Sequence, residues 1–224
     1  MGRGDTARAM WSLAELCDAF ASALRERAAA LDEEHSPYGL DAATELELHP
    51  TLAAAARAMG FGVLPETRYP LHASKRSRAE GDRCDLVLTP TRGEGLRDPL
   101  LAGTLFADQG ADTAEALWIE IKTAHQHGVI DGVARANAAY ASELLRLATA
   151  DVRKLAADAA IAHGALLLVM FTEDERTARH DLDVWAHRCL DQELPISAPH
   201  AAGFPLTDRI GNGWCQAALT AVRR

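Results

Sequence analysis

Two ionisable residues interrupt an otherwise apolar run at positions 117–122, which reads Leu-Trp-Ile-Glu-Ile-Lys. Side chains alternate between the two faces of a strand, so Trp118, Glu120 and Lys122 are expected to share one face. A buried charged group costs desolvation free energy unless it is paired or bound to a metal. One interpretation of Glu120 and Lys122 is an edge strand with a solvated polar face, or an ion pair inside the protein. The other is a functional site that uses both charges.

A second apolar run, at positions 83–88, carries Asp85 near its start. If the two runs are neighbouring strands, the carboxylates of Asp85 and Glu120 repel each other unless a cation is present. Mg²⁺ prefers oxygen ligands and keeps several waters, so Asp85, Glu120 and the carbonyl of Ile121 are sufficient protein ligands. Lys122 would orient or deprotonate a water nucleophile and stabilise negative charge. We expect a site for Mg²⁺, with Mn²⁺ as a possible substitute.

A glutamate from the helix predicted before the strands can complete this site. Glu45 lies three residues before Leu48 and seven before Leu52, and so shares their core-facing stripe. Glu47 is displaced by about 100° from Leu48 in an ideal helix, a phase that a kink at Pro50 would alter. Both glutamates are candidates, and the spacing favours Glu45.

A basic segment lies just before Asp85 in an acidic chain. The net charge is −9, from 23 basic and 32 acidic residues, which argues against strong non-specific wrapping of nucleic acid. The segment is either a solvated loop or a local positive surface beside the proposed site. Its basic residues are Arg68, Lys75, Arg76, Arg78 and Arg83.

Hydrophobic periodicity predicts the elements that position these residues. Apolar residues from Met10 to Leu24 recur at spacings of three and four, which indicates an amphipathic helix ending near Leu31. Asp41 is expected to be the N-cap of a second helix running to Met59. The remaining predictions are strands at 61–69, 83–88, 116–123 and 164–172, helices at about 133–160 and 173–190, a loop-like stretch from 195, and a strand at 214–222. This order is typical of an α/β domain with a mixed sheet.

Asp85, the Glu120-Ile121-Lys122 triplet and a helix glutamate, in this order of elements, resemble the PD-(D/E)xK nuclease superfamily. The resemblance covers roughly residues 41–172 and includes the segment 151–155, Asp-Val-Arg-Lys-Leu, which is similar to a segment seen in several members. Cys84 stands where the motif name has proline, a position that the family holds loosely.

This resemblance implies a restriction endonuclease-like fold, a mixed β-sheet flanked by helices. Residues 41–224 would form the nuclease-like domain and residues 1–40 an N-terminal helical extension. The implied activity is Mg²⁺-dependent hydrolysis of phosphodiester bonds in DNA, by an endonuclease or exonuclease of restriction, phage defence or repair. A protein partner or a homodimer could supply further affinity for DNA.

Two other classes of protein remain open. A catalytically inactive nuclease-like domain would bind nucleic acid or act as a scaffold within a larger complex. An unrelated α/β interaction protein would carry Glu120 and Lys122 as a surface pair. Divalent cation binding separates the nuclease from the interaction protein, and cleavage separates it from the inactive domain.

The remaining composition favours a cytoplasmic protein without a membrane segment. No apolar run approaches the roughly 18 residues needed to cross a bilayer. The cysteines lack the spacing of a zinc site or a disulfide framework, and their apolar neighbours predict buried core positions in a reducing compartment. They are Cys17, Cys84, Cys189 and Cys215.

We predict that reversing two charges in the basic segment, Lys75→Glu and Arg76→Glu, weakens DNA binding. The salt dependence should flatten by about one unit of slope per lost phosphate contact. Fluorescence anisotropy of a labelled duplex across a salt series measures both quantities. The reversals Arg25→Glu and Arg27→Glu, in the first predicted helix, control for net charge alone. Unchanged affinity and slope would make the basic segment a solvated loop.

Overall fold

The computed structural model describes residues 11–70, 83–98, 104–105 and 109–223. A six-stranded mixed sheet forms its centre, which confirms the predicted mixed α/β class. A separate two-stranded hairpin follows the third strand of the chain. The strands are β1 (Gly62–Arg68), β2 (Arg83–Thr89), β3 (Leu117–His125), β4 (His127–Ile130), β5 (Val133–Ala136), β6 (His163–Thr172), β7 (His200–Pro205) and β8 (Trp214–Val222).

Helices connect and cover these strands. A short helical turn, α3, continues through a π-helical turn at Glu143–Leu147 directly into α4. The helices are α1 (Leu13–Glu33), α2 (Glu45–Ala58), α3 (Tyr140–Ser142), α4 (Ala148–Ala157) and α5 (Glu175–Asp191).

The strand order across the large sheet is β1-β2-β3-β6-β8-β7. Its one parallel pair is β3 with β6, and the other neighbouring strands are antiparallel. Parallel neighbours require a crossover connection, and α4 lies within the connection between β3 and β6. The crossover therefore places α4 next to the strand that carries Glu120 and Lys122.

Apolar side chains form a separate core on each face of the sheet. The first core joins the sheet to α1 and α2, whose buried residues include Phe20 and Leu52. The second joins it to α4 and α5, whose buried residues include Val152 and Trp185. Because both faces are covered, β6 is apolar on both sides, and its residues 164–172 are all buried.

Local sequence signals explain the ends of the first two helices. The Ser12 side chain accepts a hydrogen bond from the Glu15 N–H, which caps α1. At α2, Thr44 and Glu47 form a reciprocal capping box. Gly60, with a φ of 97°, follows the end of α2 and occupies the left-handed region at no steric cost.

Three predicted features of the secondary structure are wrong. Asp41 is not the N-cap of α2. Thr44 occupies that position and forms the capping box with Glu47, whereas Asp41 lies in a short 3₁₀ turn. Val133 begins strand β5, since the Asp131-Gly132 turn closes a hairpin before the helical region. The stretch after residue 195 contains β7, which pairs with β8 along its whole length.

The predicted burial of the cysteines is confirmed, and part of the basic segment lies outside the described residues. All four cysteines are buried and free, as their apolar neighbours indicated. Within the described ranges, no helix has both the length and the apolar character needed to cross a bilayer. Lys75, Arg76 and Arg78 of the basic segment lie outside the described residues.

We predict that Asn212→Ala destabilises the fold by about 2–3 kcal/mol. Asn212 is fully buried, donates to the Asp41 carboxylate at 3.0 Å and exchanges hydrogen bonds with the His127 backbone. Loss of the Asn212 amide would remove this hydrogen-bond donor from the carboxylate of Asp41, a residue that is only 1% exposed. Urea unfolding followed by circular dichroism gives the free energy of unfolding. Thr207→Ala, which removes an exposed hydrogen bond to Asp32, should change it by less than about 0.5 kcal/mol.

Candidate functional site

Strands β2 and β3 separate at the position of the predicted carboxylates. Their antiparallel backbone pairing extends from Leu88↔Leu117 to Leu86↔Ile119 and ends at that pair. The next backbone N–H groups on the same edge of β3 are bound by side chains instead. The Ile121 N–H donates to Asp85 Oδ2 at 2.7 Å, and the Thr123 N–H donates to Glu45 Oε2 at 3.1 Å.

A backbone distortion in β1 and β2 accompanies this separation. The register of β1 with β2 is continuous except at Glu66 and Asp85, which do not pair. Glu66 has a φ of 49°, in the left-handed region that non-glycine residues rarely adopt. Cys84 and Leu86, two residues apart, lie in opposite cores rather than in the same one. Strained backbone of this kind is often found at functional sites.

Lys122 joins two carboxylates from different helices. Its Nζ lies 3.2 Å from Glu45 Oε1, at the start of α2, and 3.6 Å from Asp151 Oδ2, on α4. The Lys122 side chain is 20% exposed, so the ammonium is reachable from solvent. Burial works to lower its pKa, but Glu45 and Asp151 outweigh burial and raise it. Lys122 is therefore a charged group in this structure.

Glu120 is held on the other side by α4 and by the residue after β1. Its Oε1 lies 2.6 Å from Lys154 Nζ and accepts a hydrogen bond from the Tyr69 hydroxyl. The Glu120 side chain is only 4% exposed. Burial opposes ionisation of Lys154, but the Glu120 carboxylate outweighs it and raises the Lys154 pKa.

These contacts define one group of residues, which we call the charged cleft. Apart from the exposed Glu66, whose Oε1 lies 4.0 Å from His49 Nδ1, it holds four carboxylates and two ammonium groups within the described part of the chain, and so has two negative charges in excess when all are ionised. Its members are Glu45, His49, Asp85, Glu120, Lys122, Asp151 and Lys154.

Three carboxyl groups of the charged cleft, those of Asp85, Glu120 and Asp151, have raised pKa values. Burial and the neighbouring Asp85 raise the pKa of Glu120 to about 7. Burial and the neighbouring Glu120 raise the pKa of Asp151 to about 6. Burial also raises the pKa of Asp85. Burial is the largest cause for all three groups, and the two lysines do not offset it.

His49 is a member of the charged cleft that the sequence analysis missed. One ring nitrogen of His49 and carboxylate oxygens of Glu45 and Asp85 all lie within 4.8 Å of one another. The His49 residue is 9% exposed, and its Nε2 is buried without a hydrogen-bond partner. Burial lowers its pKa, which favours the neutral imidazole that binds metals. The i, i+4 spacing from Glu45 on α2 was the available signal.

This arrangement suits a divalent cation. Two carboxylates and an imidazole converge, each from a different turn or strand, and an unpartnered buried nitrogen is present. Carboxylates suit Mg²⁺ and Mn²⁺, and imidazole suits transition metals, so the donor chemistry fits a cation of this group.

The other predicted site residues have varied positions. Glu47 is exposed and its carboxylate binds the N–H and hydroxyl of Thr44 rather than the charged cleft. The N–H of Ile121 is occupied by Asp85. Arg68 and Arg83 are exposed and lie directly opposite each other on β1 and β2. The Arg83 carbonyl accepts from Lys154 at 3.3 Å, which places this arginine pair beside the charged cleft.

Three further contributors were not proposed as site residues from sequence. Tyr69 ends the predicted first strand, and its contacts with Glu120 and Lys154 indicate a role. Asp151 and Lys154 stand in the segment whose likeness to PD-(D/E)xK members was noted above. Their spacing of three residues on one helix face was a usable signal, because such residues are neighbours on α4.

Comparisons of the chain with protein-family models, with curated proteins and with solved structures found no match in any of the three. The resemblance to the PD-(D/E)xK superfamily therefore stays a proposal.

We predict that Glu45→Gln lowers the affinity for Mn²⁺ by a factor of about 10 or more, a usual scale for disturbing the surroundings of a metal. Glu47→Gln, two residues away on the same helix and outside the charged cleft, should leave the affinity unchanged. Isothermal titration calorimetry of the two variants and the wild type measures this difference. Equal affinities in all three proteins would remove Glu45 from the set of metal ligands.

Proposed function

We propose that this chain is a divalent-cation-dependent nuclease that hydrolyses phosphodiester bonds in DNA. The observation that carries the proposal is the charged cleft, in which four carboxyl groups face only two ammonium groups and one His49 nitrogen has no hydrogen-bond partner. A purely structural ion-pair network would be expected to balance its charges, because uncompensated buried charge is destabilising. One divalent cation would restore the balance.

Glu45, His49 and Asp85 would hold the cation, and Glu120 and the Ile121 carbonyl remain further predicted ligands. The sequence alone suggested Mg²⁺, with Mn²⁺ as a substitute. An imidazole among the ligands favours Mn²⁺, because Mg²⁺ binds preferentially to oxygen. When bound, the cation supplies a more acidic water and neutralises charge on a phosphate.

Lys122 is the residue best placed to act on the substrate. Glu45 and Asp151 hold its ammonium in one position, and its partial exposure leaves it within reach of a phosphate group. A fixed ammonium stabilises the negative charge that develops on a phosphate oxygen, and it can orient the attacking water by hydrogen bonding. Because its position is fixed by the fold, little reorganisation is needed during the reaction.

DNA is the substrate that the surroundings favour. The exposed pair Arg68 and Arg83 stands beside the charged cleft on an otherwise acidic chain. Phosphate contacts of this kind position a nucleic acid without reading its sequence. The pattern Asp85, Glu120, Lys122 and a helix glutamate is the one on which the resemblance to PD-(D/E)xK nucleases rests, and the restriction endonuclease-like fold is proposed with it.

We predict that Lys122→Ala and Asp85→Asn separate catalysis from cation binding. Lys122→Ala removes a charge but no metal ligand, so it should slow cleavage on the order of 100-fold while Mn²⁺ affinity changes little. Asp85→Asn should abolish both cleavage and Mn²⁺ binding. Single-turnover cleavage of a labelled duplex, at saturating protein, gives the rate, and calorimetry gives the affinity.

Two outcomes would contradict this mechanism. Equal cleavage rates for the wild type and Lys122→Ala would remove Lys122 from the reaction. Absence of cleavage by the wild type on duplex, single-stranded and branched DNA, with Mn²⁺ bound, would favour the catalytically inactive nucleic-acid-binding domain instead.

A further inference from the structure

We propose that Lys154 occupies the place of a second cation, so that the charged cleft binds a single divalent cation. This inference rests on the proposed function and concerns how many cations the site holds. Two-cation phosphodiesterases place their ions about 3.5–4 Å apart and hold both with shared carboxylates. In the charged cleft, the carboxylate that would be shared with a second ion is already bound to an ammonium.

Glu120 is that carboxylate. Its side chain lies beside that of Asp85, a proposed ligand of the first cation, and the two carboxyl groups interact directly. Its Oε1, however, is 2.6 Å from Lys154 Nζ and also accepts from the Tyr69 hydroxyl. A cation could bind this oxygen only by displacing the lysine from a side chain that is 4% exposed.

Three contacts from different elements keep Lys154 in place. Its Nζ pairs with Glu120 on β3, donates to the Arg83 carbonyl on β2 at 3.3 Å, and lies 4.9 Å from the centre of the Tyr69 ring. The helix α4 that carries Lys154 is anchored in the second core by Val152 and Leu155. The lysine is therefore held by the fold itself, whether or not a cation is bound elsewhere.

The charge of the site leads to the same stoichiometry. With Lys122 and Lys154 both present and all four carboxyl groups ionised, the excess of two negative charges equals the charge of one divalent cation. A second divalent cation would leave two uncompensated positive charges in a largely buried site, which is costly. Removing the Lys154 charge increases the negative excess and frees Glu120 Oε1 for a metal.

The test is the number of Mn²⁺ ions bound per chain, measured by calorimetry and by electron paramagnetic resonance of the full chain without DNA. We expect one ion for the wild type and two for Lys154→Met, whose side chain has a similar length and no charge. Lys154→Arg keeps the charge and should bind one ion. In Lys154→Met, two ions at close distance should also broaden the resonance signal by mutual coupling.

Each result has a distinct meaning. Two ions in the wild type, or one ion in Lys154→Met, would overturn the role of Lys154 while leaving the proposed nuclease site intact. No ion in the wild type would overturn the metal site on which the proposed function depends. If circular dichroism shows that Lys154→Met does not fold, Lys154→Ala provides a second uncharged comparison, in which no side chain at position 154 reaches Glu120 Oε1.

Discussion

The separation of β2 from β3 is the constraint on which the rest of the site depends. Backbone N–H groups in a protein interior must find acceptors, and those of Ile121 and Thr123 find no strand partner on the β2 side. Carboxylates of Asp85 and Glu45 accept these hydrogen bonds instead. Hydrogen bonds between an ionised acceptor and a backbone donor are among the stronger kinds, so two negative charges are fixed at this edge of the sheet.

Two lysines bind the carboxylates of the charged cleft. Lys122 is drawn between Glu45 and Asp151, and Lys154 pairs with Glu120. The lysines relieve part of the repulsion among four carboxylates, but not all of it. Burial, and after it the neighbouring carboxylate, keeps the pKa values of Glu120 and Asp151 raised. The proposed cation would stabilise the fold, because a ligand that binds the folded protein and not the unfolded chain shifts the equilibrium toward the folded state.

The two cores hold the charged cleft in its geometry. On one face, Leu48 and Leu52 anchor α2 so that Glu45 and His49, at its start, lie at the open edge of β3. On the other face, Val152 and Leu155 anchor α4 between β3 and β6, which places Asp151 and Lys154 over Glu120 and Lys122. The cleft therefore lies where helices from opposite faces of one sheet can both reach the same strand.

The sequence by itself determined the mixed α/β class, most of the elements and the shared face of Glu120 and Lys122, because hydrophobic periodicity is a local property of the chain. It also placed Asp85 and Glu45 among the candidates. Hairpin β4–β5 and strand β7 were not predicted, since their strands are short and partly polar and depend on pairing. Only the tertiary structure brought His49, Tyr69, Asp151 and Lys154 to the site. These residues come from elements that are distant in the chain. They meet at the part of β3 beyond Ile119, where β2 no longer pairs with it, and no local sequence pattern encodes that position.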